Sequence, residues 1–509
     1  MAIETAKCTL CGAIIEVDTI KDAIICPICH EAIVTEKAIK NYAGTKAINI
    51  TAESSDFVIV ARELKKYCGA SNEVIIPDGV IKIGDGVFRE MGITHIKIPE
   101  SVKTIGKNAF FGCQDLASVI IPRSVTNIEE EAFCECSSLK EITIPSSVKV
   151  IGAYSFRDCK GLVEITVENG VESIGVGAFA GCTALSEVNI PESVTAIGAK
   201  TFQGCTSLSC FTVSDSVIEI GGFAFLNCRS LKKLTLGKCV KRIQGCAFSD
   251  CAAIEELYYK CEKTDFVEKG ALLPFRSAGK NGMRVIIASN VKSIPECLFA
   301  YNPNISSVKF ESESNCISIG NAAFFSCKNL TDIEIPASIR KIDINAFYEC
   351  EKIRSVYISD LAAWCNIDFA NEASTPACCG GADLYLCGEL LKNITLPPEV
   401  KIVKCFTFRS FKRINEVVLH DGVTAIQTKA FVGCNLRKIT VPASVTRIFE
   451  YAFFECTELK EWLFKGETYV EIGNIRSNSV LTVPKTAKKN YKTAVRNQIL
   501  ANKVKLITY

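Results

Sequence analysis

Near the start of the chain stand Cys8-x-x-Cys11, then fourteen residues, then Cys26-x-x-Cys29. Each pair turns tightly enough to offer two thiolates to a common centre, and four thiolates complete the tetrahedron of a zinc ion. With four sulfurs no position is left for water or substrate, so the Zn(2+) expected here is structural. Ile14-Ile-Glu-Val and Ala23-Ile-Ile, between the pairs, have the length of short strands, and Pro27 sits inside the second pair. Residues 1–35 therefore read as a small β zinc ribbon whose metal ligands are Cys8, Cys11, Cys26 and Cys29. So short a segment has too little core to fold without its metal. The competing chemistry, a redox dithiol, uses one Cys-x-x-Cys at a helix start rather than two facing each other.

Other chemistry is sparse. His30, His95 and His420 are the three histidines, and none has a metal or triad context. There is no Gly-x-Ser-x-Gly elbow, phosphate loop or His-Glu-x-x-His. The chain reads as a non-enzyme. Lys and Arg number 58 against 56 Asp and Glu, a net charge of +2, and no basic cluster is interleaved with aromatics, so no nucleic-acid partner is expected. No apolar run is long enough to span a membrane. The opening Met-Ala-Ile-Glu-Thr-Ala-Lys-Cys lacks a basic stretch followed by an apolar one. That favours a cytoplasmic, reducing location.

The elements that must carry any site are repeats. The segment Ala-Phe-x-x-Cys recurs with its aromatic at Phe88, Phe110, Phe133, Phe156, Phe179, Phe202, Phe225 and Phe248, then Phe299, Phe324 and Phe347, then Phe408, Phe431 and Phe453. Most steps are 22 or 23 residues. Within one unit, Ile142 and Ile144 alternate with Glu141 and Thr143, the period of a strand with one buried face. Pro145 ends that strand for want of a donor, Val148 and Ile151 point back inward, and Phe156 fills the wide end. No unit can bury its own apolar face, so neighbours must stack.

Two positions of the unit test this reading. Glycine stands four residues before many markers, as at Gly106, Gly152 and Gly175, but Pro295 occupies the same place once. Proline cannot take a positive φ, so the glycines are expected to answer a need for room. Three residues after most markers stands a cysteine, from Cys113 to Cys456. Equivalent cysteines of stacked coils have parallel Cβ vectors that do not suit a disulfide torsion. They are expected to be small buried thiols.

This unit closely resembles the BspA-type leucine-rich repeats, whose turns read roughly Leu-x-x-Ile-x-Ile-Pro-x-Ser-Val-x-x-Ile-Gly-x-x-Ala-Phe-x-x-Cys. Thr94 to Cys350 and Ile394 to Cys456 carry the pattern. The resemblance implies a curved right-handed solenoid and protein–protein or adhesive binding. The expected fold class is an α/β repeat solenoid, strand-rich and curved, behind the zinc ribbon. Its parts are a linker at 36–56, a capping hairpin at 57–76, the solenoid at 77–470 and a C-terminal cap at 471–509. Insertions are expected near 258–290 and 358–393, where the period fails. In the cap, Lys485, Lys488, Lys489 and Lys492 read as a solvated helix face.

Outward strand positions are where a protein partner would sit. Glu141, Glu164 and Glu187 fall in one row, a candidate stripe for a basic partner or simply soluble strand residues. Trp364, in the second insertion, is a candidate contact for a partner or a packing residue over a widened coil. Two readings follow. One is an interaction scaffold with the ribbon as docking module; the alternative is a cell-surface adhesin or host-protein-binding protein.

Overall fold

The computed structural model describes residues 3–7, 14–18, 23–25, 32–34, 56–267, 272–468, 470–472, 479–494 and 504–509. It divides into two units, Met1–Gly69 and Ala70–Tyr509. In the first, Ile3–Lys7 pairs antiparallel with Ile14–Asp18, and Ala23–Ile25 with Ala32–Val34. Phe57–Val60 and Glu63–Tyr67 form a third antiparallel pair, turned at Ala61 and Arg62, whose φ values are 50° and 66°. That double left-handed turn matches the twist of the strands it joins. Glu73–Ile75 pairs parallel to His95–Lys97 as a coil strand of the second unit.

In the second unit each coil contributes a long and a short strand. The long strand alternates as its sequence requires: Glu141 and Thr143 are exposed, Ile142 and Ile144 buried. It pairs parallel with its counterpart one coil on, Glu141 with Glu164 and Ile144 with Val167. The proline then begins a turn in which the Val148 N–H donates to the Pro145 carbonyl at 3.0 Å. The short strands, such as Val150–Ile151, form a second parallel ladder.

The wide end of the coil is not helical, which corrects the α in the expected α/β class. Among the described residues, α-helix occurs only at Leu361–Cys365 and Lys488–Ala494. Around the markers other than Phe275 the return is a run of turns with two left-handed residues, two before and two after the marker. Around Phe110 these are Asn108 (φ 54°) and Gly112 (φ 69°); around Phe156 they are Tyr154 (55°) and Asp158 (57°). A helix cannot propagate through such a residue. Backbone N–H groups instead alternate. Ala109, Phe111 and Cys113 donate three residues back, while Asn108, Phe110 and Gly112 donate to Glu130, Ala132 and Cys134 of the next coil. The glycines four before the marker carry no such φ. A Cβ on Gly152 would lie 2.5 Å from the Ile128 carbonyl oxygen, so room is what they supply.

Three side-chain ladders run through this frame. Marker rings stack face to face, 4.9 Å apart between Phe110 and Phe133 and 5.7 Å between Phe179 and Phe202. The Ser of the Pro-x-Ser-Val turn donates one coil back, Ser124 to the Val102 carbonyl at 2.7 Å and Ser193 to that of Val171 at 2.6 Å. The buried cysteines are free thiols. Those that stand three residues after a marker donate from sulfur to the marker carbonyl one coil back, Cys136 to Phe110 at 3.2 Å and Cys159 to Phe133 at 3.1 Å.

Neither place where the period fails is a plain loop. Phe275 stands 27 residues after Phe248 and 24 before Phe299. It stacks on Phe248 at 5.0 Å and contacts Phe299 at 5.6 Å. The span near 258–290 is therefore a further coil, with long strand Glu256–Tyr259 and short strand Phe266–Val267. The second span holds another coil, with long strand Ser355–Ile358 and short strand Asp368–Phe369, but Ser374 stands where the marker belongs. The Phe347 N–H donates to the Ala373 carbonyl, as other markers donate to the residue before the next marker. Asp383–Leu386 then turns back through Cys387 and Gly388 into Glu389–Leu390, antiparallel. Both parallel ladders stop there, and new ones start at Asn393–Thr395 and Ile402–Val403. The second unit is thus two stacked blocks with a joint.

Val480–Val483 pairs with Glu461–Leu463, a short helical segment follows, and Lys505–Thr508 adds one more parallel strand. Tyr491 is buried, while Lys485, Lys488, Lys489 and Lys492 are exposed.

Candidate interaction surface

The long strands expose two side chains each, and parallel register stacks them into rows. Glu141, Glu164 and Glu187 are direct partners in adjacent strands, all exposed. Neighbouring strands lie about 4.8 Å apart, so three carboxylates repel along the row. Among the described residues none of the three carboxylates has an ion-pair or hydrogen-bond partner. The second row runs Thr143, Thr166 and Asn189, and Ile120, 83% exposed, lies beside its start.

Glu141, Glu164, Thr143 and Thr166 line an open cleft of about 500 Å³ together with Glu100, Ile120, Arg123 and Glu168. Arg123 is paired with Glu168 at 3.0 Å, and Glu168 also accepts from the Ser146 N–H at 3.0 Å. The free charge of the cleft is therefore negative. A second cleft, about 530 Å³, is lined by Arg284, Lys309, Asp332, Glu334 and Tyr357. There Tyr357 stacks on Tyr385 at 5.0 Å. Its charges are mixed, and sequence reasoning passed it over because it lies on the far side of the misread coil.

Trp364 is not part of any surface. It is 1% exposed, so the packing alternative holds and its candidacy as a partner contact falls. Asp360 caps the short helix by accepting from the Ala363 N–H at 2.9 Å, and that turn aims the indole into the joint. The ring meets Phe369 and Phe411 edge-on, and its Nε1–H donates to the Thr407 carbonyl at 3.0 Å. Charges cross the same joint in one sense. Lys404 pairs with Asp368 at 2.6 Å, Arg413 with Asp383 at 3.6 Å, and Glu372 takes Arg409 at 3.4 Å and Lys429 at 3.0 Å.

The histidines inside the described residues are structural. The His420 Nδ1 accepts from the Gly422 N–H at 3.0 Å, so Nε2 carries the proton that goes to the Val400 carbonyl at 3.1 Å. His95 contacts Thr94 Oγ1 at 3.2 Å on an exposed strand. Among the described residues no group of three or more His, Cys, Asp or Glu is placed to hold a metal. Cys8, Cys11, Cys26, Cys29 and His30 lie outside the described residues.

The model of the BspA-type leucine-rich repeat region matches residues 59–186, 149–270, 278–373 and 383–491. The chain belongs to the BspA-type leucine-rich repeat family. The matches span most of both blocks; residues 271–277 and 374–382 are left between them, the latter at the joint. Solved structures similar to this family member include a leucine-rich repeat protein from Bacteroides ovatus, 20% identical, covering 91% of this chain and 98% of that one with a TM-score of 0.45. A leucine-rich cell surface protein from Faecalibacterium prausnitzii is 26% identical over 81% of this chain and 94% of its own, with a TM-score of 0.34. A leucine-rich repeat protein of T. pallidum is 27% identical over 39% and 86%, with a TM-score of 0.31. Among curated proteins, none matches the chain. No helix among the described residues is long and apolar enough to cross a membrane.

Proposed function

We propose that this BspA-type protein is a non-enzymatic scaffold whose long-strand face holds a basic, partly apolar segment of a partner protein. The observation that carries the reading is the unpaired row Glu141, Glu164 and Glu187 beside the exposed Ile120. Carboxylates held in register at the strand spacing repel one another, and an incoming Lys or Arg relieves that repulsion. Ile120 gives the same segment an apolar anchor. Reversing all three carboxylates to Lys is expected to abolish pull-down of proteins captured by the wild-type chain; unchanged capture rules the face out.

The ribbon belongs to the same reading as a second docking module. Cys8 and Cys11 fall between Ile3–Lys7 and Ile14–Asp18, and Cys26 and Cys29 between Ala23–Ile25 and Ala32–Val34, both antiparallel pairs. Four cysteines at these places in the sequence suit Zn(2+) and no oxygen-seeking cation. The metal would hold the two hairpins together and supply no reaction. Deleting residues 1–50 separates partners of the ribbon from those of the repeats.

The surface-adhesin reading comes from the family resemblance and uses the same face. The reduced thiol ladder favours a reducing compartment over it. Biotinylation of intact cells distinguishes the two, because only an adhesin is labelled.

A further inference from the structure

The ladder of thiols uses one cysteine per coil, and at the joint there are two. Cys378 takes the ladder's place in its coil, its sulfur 3.3 Å from the Phe347 carbonyl oxygen. Cys379 is surplus, with its sulfur 3.8 Å from that carbonyl and 3.1 Å from the Cys378 sulfur. Both are half-buried, unlike the fully buried ladder thiols. The Cys378 carbonyl accepts from Arg409 Nη1 at 3.3 Å, which ties the pair to the second block.

We propose that Cys378 and Cys379 are a vicinal dithiol that a hydroperoxide oxidises to a disulfide at the joint between the two blocks. The Cys379 thiolate attacks the peroxide, the O–O bond breaks, and the departing oxygen leaves as water or alcohol. Cys379 is then a sulfenic acid. The Cys378 sulfur attacks it, the S–O bond breaks, the S–S bond forms, and the thiol proton leaves with the hydroxyl as water. Two thiols lose two electrons in all, and the peroxide gains them.

The chemistry selects this pair over the rest. The Cys378 thiol donates to the Cys379 sulfur and holds that thiol below its ordinary range, at about 7, with the Glu349 and Cys350 N–H groups helping. Burial pushes ladder thiols such as Cys113 and Cys205 up to about 12 instead. A thiol kept protonated does not attack peroxide. Adjacency in sequence also supplies the resolving thiol without any movement of a coil.

The test uses the full chain. It is treated with one equivalent of hydrogen peroxide, unfolded with maleimide present, and cut with trypsin. The peptide 355–392 carries Cys365, Cys378, Cys379 and Cys387. The expected product is two hydrogens lighter, with maleimide on Cys365 and Cys387 only. In Cys378→Ser the resolving step is lost, and dimedone is expected to trap Cys379 as its sulfenic-acid adduct. The proposal is overturned if all four cysteines of that peptide take maleimide while thiols elsewhere oxidise, or if Cys378→Ser yields no dimedone adduct at Cys379.

Discussion

The Nε1–H of Trp364 lies 3.0 Å from the carbonyl oxygen of Thr407, the residue just before the marker Phe408. In regular coils that carbonyl position accepts the N–H of the preceding marker, as Ala132 accepts from Phe110 at 2.8 Å. At the joint the preceding marker is replaced by Ser374, and an indole makes the bond that a backbone makes elsewhere. One side chain thus carries both the hydrogen bond and the ring packing that regular coils such as that of Phe110 supply separately.

Trp364→Phe keeps most of the burial and leaves the Thr407 carbonyl without its donor. A buried acceptor left unmade costs about 1–3 kcal/mol. The variant also makes Trp462, buried in the second block, the sole tryptophan. Its fluorescence in a urea titration is expected to change at lower urea than in wild type and ahead of the circular-dichroism transition. Coincident, unshifted curves would show that the bond contributes nothing.

The thiol ladder predicts a difference between two small substitutions. Cys159→Ser keeps a donor for the Phe133 carbonyl, while Cys159→Ala removes it and leaves a void. The alanine variant should be less stable than the serine one by about 1 kcal/mol. Equal midpoints in urea would mean that volume alone matters at this position.

The same thiols set an alkaline limit. Burial raises the thiols of Cys136, Cys159 and Cys182 well above their ordinary value, while the unfolded chain ionises at its ordinary one. Their contribution is complete below the unfolded value of about 8.5 and is lost as pH rises from there towards the folded values, because the unfolded state then sheds protons that the folded state keeps. The slope is about 1.4 kcal/mol per pH unit for each such thiol. Urea midpoints should therefore fall between pH 7.5 and 9.5, and fall less in a variant with all three changed to Ser. A midpoint independent of pH would contradict the ladder.

The carboxylate row predicts a stability gain at a binding cost. Glu164 has a like charge in register on both sides. Glu164→Lys replaces two repulsions by two attractions and should stabilise the fold by about 0.5 kcal/mol. The gain should shrink in high salt. A loss of stability on reversal would mean that the row is held by contacts other than its partner's.

Much of this was legible in the chain itself. Period, strand alternation, marker rings and reduced thiols all follow from residue types at fixed offsets. The coil around Phe275 was hidden because Leu272-Leu-Pro-Phe275 carries neither the Ala before the marker nor the Cys after it. Asn302 stands in for a ladder thiol one coil later, donating to the Phe275 carbonyl at 2.9 Å, but that role shows only in three dimensions. The left-handed pair flanking each marker left no signature, since Gly, Asn, Glu, Tyr, Lys and Phe all occupy it. Coil-to-coil hydrogen bonds offset the cost of that backbone, so no residue type is selected there. Trp364 was visible as an oddity, but its bond to Thr407 spans 43 residues and follows from no local pattern.

Each stack of marker rings, each ladder thiol bond and each parallel strand pair of the first block links equivalent positions of adjacent coils. Excising one whole coil from the first block would bring together two neighbours that already fit each other. Length is then a heritable variable separate from fold: unequal recombination can add or drop coils in register, and selection can tune how long a partner segment is gripped. Only the joint resists such trading. Trp364, Ser374 and the charges around them match one specific neighbour, so that stretch must be inherited as a piece while the coils on either side come and go.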